Sequence, residues 1–71
     1  MTIAVHYWPR GTSRVVYAGT KEIAEPPYIG QLLTHEIDGM TKRVKVMQIK
    51  PGAGTGHYPG DKLAQVYVGD A

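Results

Sequence analysis

The sequence predicts an all-β fold, a small five-stranded and strongly bent sheet or barrel. Three observations carry that expectation. Apolar residues alternate with polar ones in short runs, the pattern of a half-buried strand. Glycine and proline recur between the runs, at positions where turn geometry calls for them. One run changes phase part-way along, as a bulged strand does.

The elements follow in order. Ile3, Val5 and Tyr7 alternate with Ala4, His6 and Trp8, which predicts a first strand over residues 3–8. Pro9-Arg10-Gly11-Thr12 then turns the chain, because proline presets φ and glycine accepts a positive one. Ser13-Arg14-Val15-Val16-Tyr17-Ala18 resumes with β-branched and aromatic residues and completes a hairpin. Residues 19–28 break the alternation. Thr20 can cap one short helical turn near residues 20–25, and Pro26-Pro27 ends it.

Residues 29–37 admit two readings. Ile29, Leu32, Leu33 and Ile37 suit a helix, whereas a strand places Ile29, Leu33, His35 and Ile37 on one face. Asp38-Gly39 favours the strand, since Asp-Gly between two apolar runs is a strong signal for a type I′ hairpin turn. The helical reading would use Gly39 as a stop. Thr41 to Lys50 forms the next strand. Within it Val44 and Val46 share one phase while Met47 and Ile49 share the other, the mark of a β-bulge. Residues 51–60 hold four glycines and two prolines and read as an irregular loop, with a type II turn at Tyr58-Pro59-Gly60-Asp61. Residues 63–68 close the chain as a strand, with Ala64, Val66 and Val68 inward and Gln65 and Tyr67 outward. A hairpin, an irregular excursion, a second hairpin and a returning strand resemble the layout of an SH3-like barrel. That resemblance implies an architecture and no activity.

Seventy-one residues make one small domain with a thin core. Cysteine is absent, so disulfides and thiolate metal sites are excluded. No apolar run approaches the roughly 18 residues of a membrane span, and no basic leader opens the chain, so a cytoplasmic location is expected. The net charge of +2 is a small surplus, below the footprint of a dedicated nucleic-acid binder.

No pattern carries catalysis or a cofactor. Pro51-Gly52-Ala53-Gly54-Thr55-Gly56-His57 matches neither phosphate-binding glycine fingerprint, and Pro59-Gly60 rules out a following helix. His6, His35 and His57 have no metal-ligand spacing, and the single serine, Ser13, has no nucleophile-elbow context. The acidic residues are scattered, and turn chemistry accounts for Asp38 and Asp61. Glu25-Pro26-Pro27-Tyr28 lacks the spacer of a proline-rich recognition motif and reads as a seal for one end of the barrel.

Biochemical function is therefore not legible in the sequence. The reading expected from it is a non-enzymatic module, of the accessory kind that bacteria and phages encode, docking on a protein partner or on its own copies. Without metal, cofactor or membrane, its anchors are the large rings of Trp8, Tyr28, Tyr58 and Tyr67. The alternative is a weak nucleic-acid binder using Arg10, Arg14, Lys42, Arg43 and Lys45 beside aromatic neighbours.

Overall fold

A computed structural model describes residues 1–52, 54 and 60–71 of the chain. Five strands form one curled sheet: β1 (Thr2–Trp8), β2 (Val16–Glu22), β3 (Leu32–Ile37), β4 (Met40–Lys50) and β5 (Ala64–Asp70). Their spatial order is β2-β1-β5-β4-β3. β1 and β2 pair antiparallel, as do β3 and β4, and β5 lies between the two hairpins. It runs parallel to β1 and antiparallel to β4, so the sheet is mixed. The sheet curls into a half-barrel around Ile3, Val5, Tyr7, Ile23, Ile37, Val44, Val46, Val66 and Val68.

Strand register explains which residues reach that core. Val5 sits opposite Val66, and Val46 opposite Val68, so the concave face is a continuous valine layer. β1 is buried on both faces, since Ala4 and His6 on its convex side are covered as fully as Ile3 and Val5. Flanking strands on either side and cover above and below produce such a near-continuous buried run.

The predicted bulge in β4 is present. Register shifts between Val46 and Gln48, which leaves Met47 without a ladder partner on β5. After the shift Ile49, and not Gln48, joins the concave face against Val66. The bulge thereby reconciles Val44, Val46 and Ile49, residues of opposite sequence parity, with a single core.

The Asp38-Gly39 turn is also present, with φ of 52° and 77° at its two central residues. Positive φ at both positions is the type I′ requirement. Residues 32–37 are strand as expected. Residues 28–31 are not: the Gln31 amide donates to the Tyr28 carbonyl across a tight turn, with Gly30 at φ 89°. Ile29 is consequently exposed. The first turn closes as read, with the Thr12 amide donating to the Pro9 carbonyl and Gly11 at φ 80°.

The region around residues 20–25 corrects the sequence reading. No helical turn forms there; β2 starts at Val16, later than expected, and continues through Glu22. Gly19, at φ 89°, accommodates an irregularity in the β1–β2 register between Ala4 and His6. Past it, Thr20, Lys21 and Glu22 pair with Ala4, Ile3 and Thr2. Capping at Thr20 loses to ladder pairing because the adjacent β1 offers main-chain partners that an isolated turn would lack. Of the predicted turn at Tyr58-Pro59-Gly60-Asp61, Tyr58 and Pro59 lie outside the described residues, as does His57.

A Cβ built on Gly39 meets nothing within 4 Å, so a substitution there tests backbone strain alone. Gly39→Ala is expected to lower unfolding free energy by about 1–2 kcal/mol, measured by urea denaturation. Gly39→Val should lose more, because a β-branched residue tolerates that region least.

Candidate functional site

Register sorts the polar and aromatic side chains onto two faces. The concave face ends in a polar cluster. Tyr7 is nearly buried, and its hydroxyl donates to Asp70 Oδ1 at 2.6 Å. The same hydroxyl accepts from Lys42 Nζ at 3.2 Å, and Lys42 lies 3.7 Å from Asp70. The Tyr7 hydrogen bond, then the charges of Lys42 and Arg10, hold the Asp70 carboxyl below its ordinary 3.8. Lys42 is held above 10.5 by the Tyr7 hydroxyl and by the Asp70 charge. This group plugs one end of the concave face, where the Tyr7 hydroxyl meets Lys42 and Asp70.

His35 shares the concave phase with Leu33 and Ile37. Its Nε2 lies 2.7 Å from the carbonyl oxygen of Ala18. The imidazole thus spans from β3 to β2, the two outer strands, which otherwise scarcely touch. The strand alternation that placed His35 inward is visible in the sequence, but its partner across the barrel opening is not.

The convex face has a covered half and an open half. In the covered half His6 stacks on Tyr67, with ring centroids 4.6 Å apart, and tilts against Tyr17 at 5.4 Å. His6 Nε2 also lies 2.6 Å from Gln65 Oε1. Gln65 in turn donates through Nε2 to the carbonyls of Gly60 and Leu63, which ties the turn at residues 60–63 over this end. Gln65, expected to face solvent, is outward in phase yet buried for this reason. Tyr67, a predicted anchor, is half-buried in the same stack, with Lys50 Nζ 5.4 Å from its ring centre.

The open half carries a cross-strand row. Leu32 on β3 sits opposite Lys45 on β4, Lys45 opposite Gly69 on β5, and Gly69 opposite Trp8 on β1. Met47, extruded by the bulge, lies over Gly69; a Cβ there would come within 2.6 Å of its sulfur. Glycine at this position makes room for the thioether. Trp8 is 41% exposed, Met47 52% and Leu32 55%. The row crosses three inter-strand spacings, about 14 Å. Between Trp8 and Met47 is a shallow hollow of about 230 Å³, continued by Pro9, Arg10 and Asp70. The Trp8 indole N–H donates to the Thr12 carbonyl, so the first turn orients the ring.

The remaining predicted residues separate. Arg43 and Lys45 are exposed on the convex face, as read. Lys42 does not join them; it is on the concave phase with Val44, held by Tyr7 and Asp70, because three consecutive strand positions cannot share one face. Arg10 and Arg14 are exposed in the first turn and the segment after it. Tyr28 is exposed on the tight turn before β3, outside the strand ladder, and Tyr58 lies outside the described residues. Sequence reasoning missed Met47 and Leu32 as surface candidates. The bulge signal could have flagged Met47, since a bulged residue leaves the ladder.

Among the described residues no group of three His, Asp or Glu side chains is placed to hold a metal ion. No helix among them is long and apolar enough to cross a membrane. Comparison with protein-family models, curated proteins and solved structures found no match to this chain.

The polar plug has a pH signature. A lowered Asp70 value means its contribution is present above about pH 4, the unfolded carboxylate range, and is lost as pH falls through the folded value. A raised Lys42 value means its contribution is present below about pH 10.4 and is lost as pH rises beyond it. Tyr7→Phe removes the hydroxyl both groups use. It should lower the urea midpoint at neutral pH, with the deficit against the native chain shrinking below pH 4.

Proposed function

We propose that this chain is a non-enzymatic protein-interaction module and that the open half of its convex face is the docking surface. The observation that supports this most is the single row of Trp8, Met47 and Leu32. Large apolar side chains scattered singly on a surface need no explanation, but side chains aligned across four strands and edged by polar groups suit a partner. Trp8 is the natural anchor: a broad ring, oriented by its own hydrogen bond, beside a hollow that a partner side chain can fill. Arg43 lies beside the row and Lys45 stands within it, between Leu32 and Gly69, and both favour a partner whose docking edge is acidic. The half-barrel itself supplies rigidity, since β1 and β5 beneath the row are the most buried strands.

A second reading keeps the same face but changes the occupant. Arg43, Lys45 and Lys50 all share the outward side of β4, and Lys50 approaches the Tyr67 ring. Cations interleaved with rings on a sheet suit single-stranded nucleic acid. Met47 and Leu32 favour the protein reading, because neither contributes to phosphate contact.

Pull-down from lysate with and without nuclease, followed by salt titration of the recovered complex, distinguishes the two. A protein partner that survives nuclease should lose roughly 30-fold in affinity on Trp8→Ala, about 2 kcal/mol, and respond weakly to salt. Nucleic acid recovered instead should weaken with salt by about 0.7 log units per phosphate contact, and Arg43→Ala with Lys45→Ala should flatten that slope.

A further inference from the structure

We propose that the open seam between β2 and β3 accepts an extended peptide segment of a partner protein, which adds as a strand by main-chain hydrogen bonding. This site borders the convex row at Leu32 and Arg43, but it rests on main-chain groups and stands independently of the reading above.

The register identifies which main-chain groups face the seam. Met1 and Ile23 exchange both main-chain hydrogen bonds, at 2.6 and 2.9 Å. Antiparallel pairs alternate between bonded and non-bonded, so Ile3–Lys21 is bonded, and Thr2–Glu22 and Ala4–Thr20 are not. The N–H and C=O of Thr20 and Glu22 therefore point away from β1, into the seam. The two-residue turn makes Ile37–Met40 a bonded pair on the opposite wall. Alternation again leaves Leu32, Thr34 and Glu36 with main-chain groups turned away from β4, and the Val46 amide bond to the Gln31 carbonyl agrees with this phase. Two rows of ladder donors and acceptors face each other. Neither strand pairs with the other.

The seam is not uniform along its length. His35 pins its middle through the Ala18 carbonyl. Beyond that pin it widens into a hollow of about 420 Å³, walled by Lys21–Glu25 on one side and Gln31–Thr34 on the other. Each wall is four or five residues long, the span of a short strand. A strand placed there bonds to Thr20 or Glu22 on one side and to Leu32 or Thr34 on the other. Its inward side chains meet Ile23 and Leu33, so alternate apolar residues are favoured. The charges at the mouth, Lys21 and Arg43 against Glu22 and Glu25, balance, which leaves main-chain pairing and inward apolar contact as the recognition chemistry. Unpaired edges are ordinarily blunted or covered. Here, among the described residues, the His35 imidazole bridges the seam to the Ala18 carbonyl.

The test uses the full chain and a displayed library of hexapeptides alternating apolar and variable residues. A selected peptide, synthesised and titrated into isotope-labelled protein, should slow exchange of the Thr20, Glu22, Leu32 and Thr34 amides at least tenfold. N-methylation of alternate peptide nitrogens, which leaves the protein unchanged, should weaken binding at least tenfold. Trp8→Ala should leave that binding unaltered, so failure of the convex-face reading and failure of this one are separable. The proposal is overturned if no peptide is enriched, if the N-methylated peptide binds equally well, or if protection falls on Lys45 and Gly69. Protection of the same four amides by raised protein concentration alone would assign the seam to a second copy and also overturn it.

Discussion

β5 is the strand on which everything else in this fold rests. The β1–β2 and β3–β4 hairpins have no ladder contact with each other except through it. Each hairpin alone would be marginal in water, because two strands cannot bury an apolar face. Inserting Ala64–Asp70 between them joins the hairpins into one sheet and brings Val66 and Val68 against Val5, Val44 and Val46. β5 pairs parallel to β1 on one edge and antiparallel to β4 on the other. Gln65 ties the turn at residues 60–63 to the sheet by donating to the Gly60 and Leu63 carbonyls.

Curvature creates the two candidate surfaces. Register shifts in the β1–β2 pair, between Ala4 and His6, and in the β4–β5 pair, between Val46 and Gln48, bend strands on either side of β5. The bend wraps the valine layer closely enough to exclude water with few residues. It also expels Met47 to the convex side and brings β2 and β3 within reach of one histidine side chain without pairing them. The bend stops short of pairing β2 with β3, so the sheet remains a half-barrel with one seam open.

Polar side chains finish the structure at places where the apolar core stops. Tyr7 occupies the concave phase of β1 and carries its hydroxyl out to Asp70 and Lys42, so the ring packs while the polar tip stays satisfied. His6 does the equivalent on the other face between Tyr17 and Tyr67. No buried side-chain nitrogen or oxygen among the described residues is left without a hydrogen-bond partner. Among the described residues Tyr7, Tyr17 and Tyr67 are thus taken up by the fold, whereas Tyr28 and Trp8 stay exposed, Trp8 on the open convex row.

Local structure was legible wherever neighbouring residues decide it. Alternation in β1 and β4, the type I′ geometry of Asp38-Gly39, the phase slip at Met47 and the inward placement of His35 each depend on residues a few positions apart. The end of β2 was not legible, because Thr20 to Glu22 have a local alternative in a capped turn and only β1 beside them tips the balance. Nor was Lys42, which reads as one of a basic run until Tyr7 and Asp70, distant in sequence, are seen to hold it. By itself the sequence determined the all-β class, the turns at Pro9–Thr12 and Asp38-Gly39, and the alternation of faces along β1, β4 and β5, since these follow from backbone sterics and a period of two. Tertiary structure alone decided strand order, the parallel β1–β5 pairing, and which outward residues are covered and which are left to meet a partner. Those depend on where a non-local strand inserts, and no local pattern encodes that contact.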